Sequence, residues 1–171
     1  MLHQNSHYFY VLRGGSNGAT TWTQYNSQWP LYISMLDNHA VFGGNLSCVG
    51  AFQSNTSDRR LKKNLVKIQT PLEKISKLTG YNFDWNDNVT SLGFTPSIAT
   101  NDVGLIAQDV QEVVPQAVAP APFDQSNEFE TDKSKSRSGE NYLTIQYEKL
   151  VPLLVEAIKE LKAEVDALKS S

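Results

Sequence analysis

Ser57-Asp58-Arg59-Arg60-Leu61-Lys62 is the stretch on which the reading of this chain turns. Before it lie short, aromatic-rich runs of β type; after it come mixed strand and helix patterns that end in a long, charged, periodic segment. The approach, Gln53-Ser54-Asn55-Thr56, has nothing to bury and reads as an extended linker. The stretch also places a hydroxyl and an amine on one short piece of chain. Serine is a weak nucleophile at neutral pH and needs an adjacent base, either histidine or a lysine whose neutral form is favoured by burial or by neighbouring positive charge. Arg59, Arg60 and Lys63 surround Lys62 with like charge. Spacing alone favours Ser57-Asp58 as a turn or helix cap and the basic run as a solvated face.

Composition bounds the rest. A chain of 171 residues, 40% apolar and 19% charged, has room for one or two folded domains and excludes disorder throughout. Its net charge of -3 supplies no bulk attraction to nucleic acid. The cluster Arg59 to Lys63 lacks a recognisable reading module, so no nucleic-acid partner is expected. Cys48 is the single cysteine, which rules out an intrachain disulfide and a cysteine zinc cage, and His3, His7 and His39 fall at no ligand spacing. No metal and no cofactor are expected. No basic segment followed by an apolar core opens the chain and no run approaches a membrane span, so insertion into a membrane is not expected. The abrupt opening reads as the C-terminal piece of something longer.

Residues 1 to 56 read as a β meander. Strands are predicted at Tyr8 to Leu12, Ala19 to Tyr25, Leu31 to Met35 and Ala40 to Phe42, with turns at Gly14 to Gly18, Asp37-Asn38 and Gly43-Gly44-Asn45. So short a β region makes a poor core alone, and association with copies of itself would supply the missing surface. Trp22, Tyr25, Trp29 and Tyr32 are compatible with a sugar-stacking surface, although aromatics in strands more often serve the core or an interface.

Beyond Lys62, Thr70-Pro71-Leu72-Glu73 reads as a capping box with proline at the first helical position. It predicts a short helix that buries Leu72, Ile75 and Leu78 and ends at Gly80. Tyr81, Phe83 and Trp85 alternate as in a half-buried strand that turns at Asn86-Asp87-Asn88. Val103 to Ala107 is a second strand and Gln108 to Val113 a short helix stopped by Pro115. Residues 119 to 140 are polar apart from Phe123 and Phe129 and read as a mobile loop. Tyr142 to Ile145 is a further strand, and a helix spans about 150 to 169, with Pro152 tolerated in its first turn.

That helix carries the clearest periodicity in the chain. Val151, Leu154, Ile158, Leu161, Val165 and Leu168 follow alternating steps of three and four, an a/d seam with β-branched residues at a and leucine at d. Glu164 and Lys169 fall at g and the following e, where they could pair between parallel helices. Leu153 and Val155 widen the apolar face near the start, where the helix would also meet the globular unit. So regular a seam at a charged chain end favours association, and its a/d composition alone would suggest a dimer.

Four blocks in order carry a family resemblance. Ser57-Asp58-x-Arg60-Leu61-Lys62 resembles the opening motif of the intramolecular chaperone auto-processing domain found at the C-terminus of phage tail fibres and tailspikes. Gly80-Tyr81-x-Phe83-x-Trp85, Val103 to Val110 with Pro115, and Asn141-Tyr142-Leu143 to Leu154 resemble its later signatures. The resemblance covers residues 57 to 171 and implies an α+β fold: a β-rich fibre segment at 1 to 56, a small α+β chaperone domain, and a long helix forming a trimeric coiled coil. It implies a homotrimer in place of the dimer. It further implies self-cleavage between Thr56 and Ser57, with Ser57 as nucleophile, Lys62 as general base, and Asp58 and Arg60 in support. The preceding fibre segment would be the folding client. The N-terminal part would remain in the virion tail and the chaperone part would be released in the host cytoplasm. The competing expectations are a trimeric fibre tip that is never cut, and a receptor-binding module whose N-terminal region contacts a host-surface glycan.

Overall fold

A computed structural model describes residues 1–24, 28–35, 39–49, 56–92, 96, 99–125 and 136–170. Two compact units are present. One comprises Met1–Ser47, Phe83–Asp102 and Pro120–Tyr142, and the other Cys48–Asn82, Val103–Ala119 and Leu143–Ser171. Both are discontinuous in sequence, whereas the sequence suggests a single division at residue 57.

In the first unit, β1 (Leu2–Gln4), β2 (Tyr8–Val11), β3 (Leu31–Ser34) and β4 (Ala40–Phe42) form a four-stranded antiparallel sheet in chain order. Strand alternation puts Tyr8 and Tyr10 on one face, and both are buried. Tyr10 sits opposite Tyr32 in the register, and Tyr8 meets the edge of the Tyr32 ring at 5.8 Å between centroids. Asn5 makes the β1–β2 turn, its Oδ1 accepting the backbone N–H groups of His7 and Tyr8 at 2.9 and 2.7 Å.

The meander is therefore present, with two changes. Leu2–Gln4 is a strand that the sequence did not announce, because all three of its residues are exposed and only pairing with β2 makes it one. The strand expected from Ala19 to Tyr25 is reduced, within residues 19–24, to a single bridge between Trp22 and Gly14. Its residues 20–24 are exposed, so no buried face holds them in a ladder. Tyr25 lies outside the described residues.

Gly43 closes against the start of β3. A Cβ placed there would stand 2.1 Å from the Trp29 carbonyl oxygen and 2.8 Å from Gln28 Cβ. Gly43→Ala is accordingly expected to destabilise this sheet by about 1–3 kcal/mol. A chemical denaturation midpoint that does not move would contradict the close approach.

The same unit contains Asp124, which the sequence had left inside a presumed loop. Where a mobile loop is expected over 119 to 140, the described residues hold ordered elements: β7 (Val118–Pro120) runs into a 3-10 turn at Pro122–Asp124, and Gln125 bridges to Ser136. Positions 126–135, with Phe129, lie outside the described residues. The Asp124 carboxylate is 3% exposed. It accepts the Ser136 hydroxyl at 2.7 Å and the backbone N–H groups of Ser138 and Tyr142 at 2.8 and 2.9 Å. Burial alone would raise this carboxyl, but the hydrogen bonds from Ser136, Ser138 and Tyr142 outweigh it and hold the group at about 2.

The folded value lies below the ordinary one of 3.8, so the stabilisation is fully present above about pH 4 and is lost as pH falls towards 2. Asp124→Ala leaves a hydroxyl and two amides without their acceptor. It should cost about 2–4 kcal/mol at neutral pH, read as a denaturation midpoint, with the difference from wild type shrinking in acid. A variant equally stable at pH 7 would show that the carboxylate does not clamp the segment.

The second unit is built on α1 (Pro71–Ser76), α2 (Ala107–Val113) and α3 (Val151–Lys169). Short strands accompany them: β5 (Tyr81–Phe83) pairs with β6 (Asp102–Gly104), and β7 pairs with β8 (Leu143–Ile145). Val110, Ala117 and Leu150 form the buried centre, with Leu78, Leu105, Val114, Val118 and Ile145 packed around it. The architecture is α+β, with the elements after Lys62 in the expected order.

The capping box at α1 is not formed. Thr70 is left-handed, at φ 46 and ψ 51, and its side chain makes no cap hydrogen bond. A capping hydroxyl needs extended backbone at that position, which this conformation does not supply. The N–H of Leu72 is instead accepted at 3.1 Å by Glu160 of α3. Glu73 turns to Lys77, whose ammonium lies 2.9 Å away and is the main reason its carboxyl sits below the ordinary range. The helix also stops at Ser76 and does not continue to Gly80.

Candidate active site

Ser57 and Lys62 are brought together by a single turn of 3-10 helix at Arg59–Leu61. Asp58 caps it: Oδ1 accepts the N–H of Arg60 at 2.8 Å, and the Asp58 carbonyl accepts that of Leu61 at 3.1 Å. Lys62 leaves the turn in extended conformation after donating its N–H to Arg59 O at 3.1 Å. The turn folds the two ends of the motif towards each other. Lys62 Nζ lies 2.6 Å from Ser57 Oγ, within hydrogen-bond reach.

Asp58 and Arg60 are paired with each other. Arg60 Nη2 reaches Asp58 Oδ2 at 2.8 Å and Nε reaches Oδ1 at 3.1 Å, a fork on one carboxylate. The Arg60 side chain, with its backbone N–H, holds the Asp58 carboxyl below its ordinary range. Both residues thus shape the turn, and neither donates to the Ser57–Lys62 pair in this arrangement. Thr56, Ser57 and Lys62 are all exposed. Residues 53–55 of the approach lie outside the described residues.

The seam on α3 is separate from the face that packs at home. Leu153 and Ala157 are buried at 1% and 5%, and Glu156 and Glu160 are partly buried beside them. Val151, Leu154, Ile158, Leu161, Val165 and Leu168 are all exposed, Ile158 at 67%. Spacings of three and four locate the seam, and burial shows that a different face, with Leu153 and Ala157, packs at home. Val155 is also exposed, so of the two residues expected to widen the contact only Leu153 does so.

Reading the sequence missed Glu156, Glu160 and Lys67. Lys67 Nζ lies 3.4 Å from Glu156 Oε2, and Lys159 lies 2.7 Å from Glu156 Oε1. The available signal was the placing of Glu156 and Glu160 one turn apart among Leu153 and Ala157. On sequence alone that reads as solvated helix surface.

Of the four aromatics compatible with a sugar-stacking surface, Tyr25 lies outside the described residues. Trp29 and Tyr32 pack on buried Tyr10, at 6.4 and 6.2 Å between ring centroids, while Trp22 stands exposed on its bridge to Gly14.

A small α+β body carries a serine–lysine pair on a capped turn ahead of its first helix and ends in a helix with an exposed apolar face. Residues 57–119 match the model of the peptidase family described as the chaperone of endosialidase. The C-terminal part of the chain belongs to that family, as a chaperone domain of the phage tail fibre type. It is 36% identical over 114 residues to the long tail fiber protein Gp37 of Enterobacteria phage K3, covering 67% of this chain and 8% of that protein. The Gp37 of Enterobacteria phage M1 is 30% identical over 115 residues, covering 67% of this chain and 39% of the relative. Myelin gene regulatory factor-like A of Dictyostelium discoideum is 31% identical over 119 residues, covering 66% of this chain and 12% of that protein. The chain therefore spans between 8% and 39% of the length of these relatives.

Proposed function

We propose that residues 57–171 assemble three chains through α3, align the preceding fibre segment for folding, and then release themselves by autoproteolysis between Thr56 and Ser57. The observation that carries this reading is the 2.6 Å approach of Lys62 Nζ to Ser57 Oγ, on a turn where the family match begins. Nucleating an intertwined β fibre is slow because its contacts are nonlocal and intermolecular, and joined helices raise the local concentration of the segments before them. Removing the module afterwards leaves a fibre that is kinetically stable, since unfolded strands have lost what could reassemble them.

The chemistry uses groups of the chain and one water. Neutral Lys62 takes the hydroxyl proton as Ser57 Oγ attacks the carbonyl carbon of Thr56. The bond from that carbon to the Ser57 nitrogen breaks, Lys62 returns the proton to the departing amine, and an ester joins Thr56 to the Ser57 side chain. Water then opens the ester, restoring the hydroxyl and leaving a carboxylate on Thr56. A neutral amine is favoured by burial, and the pair is exposed in the single chain, so cutting is expected to follow assembly. The relatives named as long tail fiber proteins support a place in the virion tail for the N-terminal part. Release of the remainder would follow in the host cytoplasm.

That same exposure favours, as second reading, a trimeric fibre tip that is never cut. Intact mass measurement on the freshly expressed full chain separates the two. Fragments 1–56 and 57–171 are expected, and a chain that stays whole after assembly would favour the uncut tip.

A further inference from the structure

The segment that carries the pair leaves its turn at Lys62 and reaches Thr70 without a regular element. Leu61, Leu65 and Val66 are exposed along it, and Asn64 and Thr70 both adopt left-handed backbone, at φ 53 and 46. Such a segment has little apolar anchorage of its own, so its placement depends on ties to the body. Two ties come from α3. Lys67 pairs with Glu156 at 3.4 Å, and Glu160 Oε2 accepts the N–H of Leu72 at 3.1 Å, where the segment enters α1.

Glu156 and Glu160 lie on the face of α3 that buries Leu153 and Ala157, roughly 120° round the helix from the seam at about 100° per residue. Glu156 Oε2 is buried and has no hydrogen-bond donor among the described residues; Lys159 answers the carboxylate at Oε1, 2.7 Å away, and the Lys67 ammonium, 3.4 Å from Oε2, is the charge that faces the buried oxygen. A buried carboxylate oxygen is costly to leave unanswered. One rigid helix therefore presents the association seam on one side and holds the segment of the serine–lysine pair on the other.

We propose that Glu156 and Glu160 are positioning residues for the cutting site, coupling association of the helices to the placement of Ser57 and Lys62. The inference rests on the reading of Ser57 and Lys62 as a self-cleaving pair, and its test has one arm that does not need cleavage. In the full chain carrying Ser57→Ala, amide hydrogen exchange reports the placement of residues 58–70 directly. Glu156→Gln should raise exchange there about two- to fivefold, the worth of a partly exposed ion pair, and Glu160→Ala should raise it at Leu72.

Lys67→Met should match Glu156→Gln in exchange over residues 58–70, and the two together should do no more there than either alone, because both remove the same tie between this segment and α3 and the Lys159 pair that Glu156→Gln also removes lies within α3. In the chain that keeps Ser57, each change should slow the appearance of fragment 1–56 by a similar factor while the assembled mass stays constant. Unchanged exchange overturns the inference, as does raised exchange with an unchanged cutting rate or strictly additive effects of Lys67→Met and Glu156→Gln. A parent chain that never cuts counts against the self-cleaving reading and against any coupling to it. The exchange arm would still decide whether these carboxylates hold the segment.

Discussion

Ser57→Ala is expected to leave the full-length chain whole under conditions in which the parent separates into fragments 1–56 and 57–171. Loss of the attacking oxygen removes the acyl transfer itself, so the expected fall in rate is about 10⁴-fold or more, beyond detection over days. The change should not disturb assembly, because Ser57 is exposed and its hydroxyl meets Lys62, on the same turn. Lys62→Arg is the sharper companion. A guanidinium can still donate to Ser57 Oγ, but it does not give up its proton and cannot serve as a base. A loss of about 10²–10⁴-fold is expected if the amine takes the hydroxyl proton, and little change if Lys62 only donates a hydrogen bond. Ser57→Cys keeps a nucleophile and should keep some cutting. Fragments appearing at the parent rate from Ser57→Ala chains would remove Ser57 from the chemistry altogether.

Ile158→Asp is expected to break the assembly while leaving the single chain folded. Ile158 is 67% exposed within its own chain, and surface substitutions of that kind usually change stability by less than about 0.5 kcal/mol. At an a position of a coiled coil the same carboxylate would be buried in every copy at once, costing on the order of several kcal/mol in the assembled state. Light scattering should show the mass falling to that of one chain, with the far-ultraviolet circular dichroism largely retained. Leu153→Asp makes the contrast. Leu153 is 1% exposed against its own unit, and a charge there should unfold the domain whether or not it associates. An Ile158→Asp protein that keeps the assembled mass would move the contact away from this seam. If cutting follows association, Ile158→Asp should also slow fragment release, which joins the two predictions.

Legibility differed along the chain for physical reasons. The heptad steps of α3, the alternation at Tyr8 and Tyr10, and the pairing of Pro115 with the end of α2 are local patterns, and local patterns survive without knowledge of neighbours. The serine–lysine pair was legible through the resemblance of its motif, and its two members meet without help from any distant part of the chain because both sit on one turn. Thr70 shows the opposite case. Its sequence matched a capping box, yet the helix it precedes is capped from α3, and a left-handed backbone at Thr70 closed off the local solution. Asp124 was hidden in the same way, since Ser136 and Ser138 stand twelve or more residues along the same polar stretch that read as loop and Tyr142 lies just past it.

By itself, then, the sequence determined the α+β element order and the a/d spacing of α3, each of which rests on spacing within a few residues, while the pairing of Ser57 with Lys62 was implied by the resemblance of their motif. Only the tertiary structure decided which face of α3 is buried at home, which carboxylates reach Lys67 and α1, and that Asp124 is a buried clamp. Those depend on long-range contacts, and a helix pattern records which residues share a face without recording what that face meets.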